Sequence, residues 1–309
     1  MTVLVGHSDQ VRDHGGLALA AMLARSTGER LVVCCVVPDR WEMPSVARVD
    51  VEYAGHLRGL AHDALRDAKA FLGDDLDTEY VVSTGRSVPT TLAREVAARN
   101  ARILVLGSSS HGSWGHVALG SATDRLLHSA EVPLALVPLG FRTEPGAVIH
   151  RVTVGLDGSR LSEAILVAAA RMTRHMDIDL RVVTFAVRGR TMYPSQTGYR
   201  AEDMVIQAWR EQADAMQAKA LKWLATHDAV STPTDVAIVD GRDWGDALER
   251  VGWDEGDVLV LGPSANGPLS RVFLGSTGTK ILQNSPVPVI LIPAGRGKAA
   301  ARDPSAPLI

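Results

Sequence analysis

Val105–Pro138 reads VLGSSSHGSWGHVALGSATDRLLHSAEVPLALVP, and Val260–Pro293 reads VLGPSANGPLSRVFLGSTGTKILQNSPVPVILIP. The two stretches align without a gap. Gly107, Gly112, Gly120, Ser121, Pro133 and Pro138 meet Gly262, Gly267, Gly275, Ser276, Pro288 and Pro293, each 155 positions further along, as from Gly107 to Gly262. Solenoid repeats recur roughly every 20–50 residues, so a period this long marks a duplicated domain.

Outward from these stretches, short runs of β-branched and aliphatic residues alternate with longer amphipathic ones. In the first half, Val3–Val5, Leu31–Val37, Glu79–Val82, Ile103–Leu106 and Leu134–Val137 read as buried strands. Leu17–Ala24, Val51–Phe71, Thr90–Ala98 and Leu119–Ala130 carry apolar residues at helical spacing. The second half repeats the order, with strands at Val152–Leu156, Leu180–Val187, Asp235–Val239, Val258–Leu261 and Val289–Ile292. Its helices are expected near Ser162–Met172, Ala201–Ala225, Ala247–Val251 and Leu274–Ser285. Strict alternation predicts an α/β fold of two tandem Rossmann-like domains, each a five-stranded parallel sheet with helices on both faces. Ligands of such sheets bind beyond the carboxyl ends of the strands.

A chain of 309 residues, 46% hydrophobic and 22% charged, suffices for two cores. Gly and Pro interrupt periodicity in Leu139–His150, which places a boundary near residue 147. The expected division is domain 1 over 1–140, a linker over 141–150, domain 2 over 151–294 and a disordered tail over 295–309. Pro38–Asp50 and Arg188–Arg200, after the second strand of each half, read as surface loops or ligand lids. A formal net charge of −3 without a Lys/Arg cluster argues against nucleic acid as a partner. Nowhere do about 18 uncharged apolar residues run together, and no signal-peptide pattern is seen, so a soluble, cytoplasmic protein without a membrane partner is expected. The two cysteines, Cys34 and Cys35, are adjacent in a strand and should face opposite ways, which excludes a disulfide between them and disfavours a metal site.

Each repeated copy is a strand ending in Gly, a loop of small residues, then Gly-Ser at the first turn of a helix. Glycine lets a backbone approach a ligand, and a helix N-terminus offers unpaired N–H groups at a positive dipole end. Ser121 and Ser276 add a hydroxyl there. Phosphate contact is one reading; a sharp turn at Gly107 and Gly262 with ordinary helix capping is the other.

These stretches resemble the universal stress proteins in their tandem two-domain form. The nucleotide-binding branch of that family carries G-x2-G-x9-G-[ST]. This chain has Gly107-x2-Ser110-x9-Gly120-Ser121 and Gly262-x2-Ala265-x9-Gly275-Ser276, so the spacing is kept while the second glycine is replaced by the smallest alternatives. The resemblance implies an adenine nucleotide, ATP with or without Mg²⁺, on both loops. Its contacts would be Gly107, Ser109, Ser110, His111, Gly112, Gly120 and Ser121 in the first half, and Gly262, Ser264, Ala265, Asn266, Gly267, Gly275, Ser276 and Thr277 in the second. It further implies a nucleoside contact after the first strand. Gly155 and Asp157 fit that role, whereas Gly6 is followed by Ser8 with Asp9 one place later, so the second half has the more complete motif. Backbone contacts at the end of the second strand map to Val37 and Val187. The final strands of family members pair across a two-fold, which implies an intramolecular pseudo-dimer of the halves and is compatible with a homodimer.

Catalytic readings fare less well. His111 has Asn266 as its counterpart, so no shared histidine chemistry exists. Asp157 has no second carboxylate fixed beside it for a metal, and capping or ligand contact is favoured. Neither half carries G-x-x-x-x-G-K-[ST], so fast P-loop hydrolysis is not indicated, and Ser159 and Ser162 read as caps. Three functions remain open: an ATP-binding stress regulator, a scaffold that no longer binds nucleotide, and a slow ATPase. No sequence feature names a protein partner.

Overall fold

Val, Ile and Leu runs too short to fill a helix's apolar face are buried on both sides once helices cover the sheet, and they become the parallel strands here. The computed structural model describes residues 2–8, 13–39, 49–110, 112–157, 159–187, 199–226, 235–262 and 276–293. The first half runs β1 (Thr2–His7), α1 (Gly15–Thr27), β2 (Arg30–Pro38), α2 (Val49–Leu72), β3 (Thr78–Gly85), α3 (Val88–Ala98), β4 (Ala101–Leu106), α4 (Ser121–Ser129) and β5 (Leu134–Leu136). The second runs β6 (Arg151–Gly155), α5 (Arg160–Met176), β7 (Asp179–Val187), α6 (Tyr199–Ala225), β8 (Asp235–Gly241), α7 (Trp244–Glu249), β9 (Asp257–Leu261), α8 (Ser276–Asn284) and β10 (Val289–Leu291). Two α/β units in tandem are therefore present, each with five mutually parallel strands and helices on both faces.

The strands form one ten-stranded sheet in the order β3-β2-β1-β4-β5-β10-β9-β6-β7-β8. Its single antiparallel step joins the halves, where Leu134, Ala135 and Leu136 pair with Leu291, Ile290 and Val289. Each last strand would otherwise leave a hydrophobic edge open, and the other half covers it. Side-chain alternation then builds two continuous cores. Val3, Val5, Leu31 and Val33 face α1 and α2, and the same layer continues through Val152, Val154 and Ile165 on α5. Leu4, Val32, Leu104 and Leu106 face Leu92 on α3 and Leu126 on α4, continuing to Leu248 and Leu282 on α7 and α8. Burying each such Leu contributes about 1.5–3 kcal/mol. Cys34 and Cys35 divide between these two cores as alternation requires, and neither is in a disulfide.

Several element ends differ from the periodicity-based expectation for local reasons. Ser26 and Thr27 extend α1 past the apolar run by donating their hydroxyls to the Met22 and Leu23 carbonyls, and Gly28 ends the helix at φ 66°. Leu119 lies outside α4 because Gly120 is extended, at φ −84° and ψ 165°. α7 begins three residues before Ala247, where Asp243 accepts the Asp246 N–H at 3.0 Å. The segments 40–48 and 188–198, which hold most of the expected surface loops or lids, and the tail 294–309 lie outside the described residues. Between β5 and β6 no helix or strand occurs among the described residues. This connector is fastened to α1: Asp13 accepts the N–H of Gly140 and pairs with Arg142, and the Ser26 hydroxyl oxygen accepts the Ile149 N–H.

Candidate functional site

In the order β2-β1-β4, the carboxyl ends of three neighbouring strands bring Val37, Gly6 and Gly107 to one rim. Gly6 pairs with Leu106, so Gly107 begins its loop beside the end of β1. Val37 is buried in the core. Gly16, in the first turn of α1, packs against the same loop: a Cβ there would stand 3.2 Å from the Gly107 nitrogen.

The loop from Gly107 to Gly120 is held by a dense set of hydrogen bonds. Ser108 is 3% exposed; its hydroxyl donates to the Val137 carbonyl at 2.5 Å and accepts the Ala118 N–H at 3.0 Å. The Ser109 N–H donates to the Ala118 carbonyl, and the Gly112 N–H to the Ser109 carbonyl. Gly115, at φ +77°, donates to the Leu139 carbonyl, while the Leu139 N–H donates to His116. Gly112 has a packing reason to be glycine, because a Cβ there would fall 2.2 Å from that of Ala118. Trp114, 71% exposed, lies across Gly140, where any side chain would strike its indole.

At the far end of this loop Gly120 is the N-cap of α4 and supplies no side-chain acceptor. Ser121 is the first helical residue, exposed and without a described hydrogen bond from its hydroxyl, so it does not act as a cap. The first turn of α4 thus presents backbone N–H groups and a free hydroxyl beside Ser109, whose Cβ would be 3.7 Å from a Cβ at Gly120. Ser110 is exposed on the same loop, and His111 lies outside the described residues.

In the second half the ends of β6 and β7 are described more fully than the loop after β9. Gly155 ends β6, and a Cβ on it would stand 3.1 Å from Leu261. Asp157 is exposed and accepts the Ser159 N–H at 2.9 Å. Ser159 caps α5 by accepting the Ser162 N–H, and the Ser162 hydroxyl donates back to the Ser159 carbonyl. Both serines are therefore helix-start residues. Val187 ends β7 half-buried. A Cβ on Gly262 would meet Ile165 Cδ1, the far end of a side chain that can turn aside. Thr277 is exposed on α8, whose first residue is Ser276. Ser264, Ala265, Asn266, Gly267 and Gly275 lie outside the described residues.

Sequence patterning did not single out Ser108, one of three consecutive serines. Only its burial separates it from Ser109 and Ser110. Among the described residues no group of three His, Cys, Asp or Glu side chains is placed to hold a metal ion. No described helix is long and apolar enough to cross a membrane.

Comparison with known proteins bears on the family and the fold. The chain is 36% identical to a universal stress protein of Mycobacterium tuberculosis over 296 residues, 95% of this chain and all of that one. A second relative, from Mycolicibacterium smegmatis, is 24% identical over 243 residues, 75% of this chain and 76% of its own. Among solved structures, a Pseudomonas aeruginosa protein described as a universal stress protein superposes with TM-score 0.57 at 16% identity, covering 99% of this chain and 98% of its own. One from Archaeoglobus fulgidus gives TM-score 0.55 at 16% identity over 94% and 95%; these two likenesses concern the fold. The universal stress protein family pattern matches residues 1–138 and again 149–293, and the chain belongs to that family.

Proposed function

We propose that this protein is an adenine-nucleotide-binding stress regulator of the nucleotide-binding branch, with ATP phosphates held by the loop after the fourth strand of each half. Gly120 carries the reading. Its backbone angles suit any residue, and a Cβ would meet nothing closer than 3.7 Å, so neither conformation nor packing asks for glycine. A ligand lying against that backbone does. The free hydroxyl of Ser121 and the first-turn amides of α4 supply donors to phosphate oxygens at the positive end of the helix.

In this reading the residues of the site are those named from the motif: Gly6, Val37 and Gly107–Ser121 in the first half; Gly155, Asp157, Val187 and Gly262–Thr277 in the second. The ligand acts as a signal whose occupancy alters the protein's associations in the cytoplasm. The halves form an intramolecular pseudo-dimer, with domain limits at 1–140 and 151–294. The test is to denature freshly purified protein, identify released nucleotide by chromatography and mass spectrometry, and titrate the stripped chain with Mg·ATP by calorimetry. Stoichiometric binding that Gly120→Val lowers, with an unchanged circular-dichroism spectrum, is the expected result. No heat of binding up to millimolar ATP would leave the empty-scaffold reading in its place.

A further inference from the structure

The buried hydroxyl of Ser108 has a consequence for what the first half selects. It ties both limbs of the described loop together, bonding to the Val137 carbonyl beyond β5 and to the Ala118 N–H just before Gly120. Without it, a buried carbonyl and an N–H lose their partner together, and the limb carrying Gly120 and Ser121 is held mainly by the Ser109 N–H on the Ala118 carbonyl. The corresponding residue in the second half is Pro263, which has neither a hydroxyl nor an N–H.

We infer that Ser108 is the positioning residue of the first-half loop and that it makes this half select its ligand by the length of the phosphate chain. The inference rests on the nucleotide reading above. Ser108 touches no ligand in this account; it sets the spacing between the Ser109 limb and the start of α4, so its influence falls on groups that reach the loop. A ligand's adenine and ribose lie nearer the ends of β1 and β2, and a single phosphate engages the loop least. Preorganising the loop before binding removes an ordering cost that only a ligand seated on it would otherwise carry.

The test compares the full-length chain with Ser108→Ala and Ser108→Thr. Calorimetric titration with Mg·ATP and with AMP gives affinities; hydrogen exchange gives the protection of the 104–120 segment with and without each ligand. Ser108→Ala is expected to speed exchange at Ala118 in the free protein and to weaken first-half ATP binding about tenfold, while AMP changes less than about twofold. Ser108→Thr, which keeps the hydroxyl, retains the ATP-to-AMP ratio. An equal loss for both ligands, as a general loosening of the domain produces, overturns the inference, and so does unchanged ATP affinity in Ser108→Ala. If the natural protein binds neither nucleotide, the nucleotide reading fails and phosphate-length selection goes with it; the positioning role is then judged on exchange alone, with unchanged Ala118 protection refuting it.

Discussion

The two halves share a backbone plan and fill its start differently. Where β2 of the first half places Val32 in an apolar core, β7 of the second places Arg181 at 2% exposure. Asp257 at the start of β9, 3% exposed, lies between Arg151 at 2.5 Å and Arg181 at 3.6 Å. Trp253 stacks 5.6 Å from the Arg181 guanidinium, whose pKa burial pulls down against the nearby carboxylates. The first-half counterpart of Asp257 is Arg102, a partly exposed residue reaching Glu29 at 3.7 Å. One fold therefore tolerates either a dry strand start or a buried ionic one, but the second is fragile. Removing Asp257 leaves Arg151 and Arg181 buried with only the exposed Asp254 and Asp235 as counterions.

The sharpest test of that contrast is Asp257→Ala, expected to cost about 3–5 kcal/mol in urea unfolding. Arg102→Ala should cost less, about 1 kcal/mol, because its half-buried pair with Glu29 is long at 3.7 Å and keeps contact with solvent. Similar losses at the two sites would break the comparison.

Next in size is an alkaline effect confined to the first half. Burial raises the Cys34 thiol from its ordinary value near 9 to about 11, with Ser83 partly opposing the shift; the second-half counterpart is Val183. The folded thiol holds its proton more tightly than the unfolded one, so its contribution is intact below pH 9 and is lost as pH rises toward 11. Relative to Cys34→Val, the natural chain should lose about 2–3 kcal/mol across that window, read from urea midpoints at successive pH values. Parallel pH curves would show that the Cys34 proton is not linked to folding.

The smallest contrast concerns two serines at helix starts. Ser159→Ala removes the cap of α5 and should cost about 1 kcal/mol. Ser121→Ala removes no described hydrogen bond and should change thermal stability by less than about 0.5 kcal/mol while weakening ATP binding. A stability loss at Ser121 equal to that at Ser159 would return Ser121 to a capping role.

These differences also mark what a sequence discloses. The order of strands and helices was legible because each run of Val, Ile and Leu has a length and period of its own, and the repeat doubled the signal. The glycine spacing drew attention to Gly107 and Gly120 for the same reason. Ser108 was not legible, because its partners are backbone groups of Val137 and Ala118, which leave no trace in residue type. Nor was the ionic cluster: Arg151, Arg181, Asp254 and Asp257 are scattered across three strand starts and look like ordinary surface charges until the sheet assembles them. At Gly112 a Cβ would strike that of Ala118, a packing demand for glycine that no spacing in the sequence reveals.

The three-residue antiparallel seam between β5 and β10 sets the molecule's valency. Parallel strands within each half point their carboxyl ends one way, and the seam reverses the direction between halves. The rim at Gly6 and Gly107 and the rim at Gly155 and Gly262 therefore belong to strands of opposite direction in one sheet. With β5 and β10 each flanked on both sides, a further strand could join this sheet only along β3 or β8, its two outer edges.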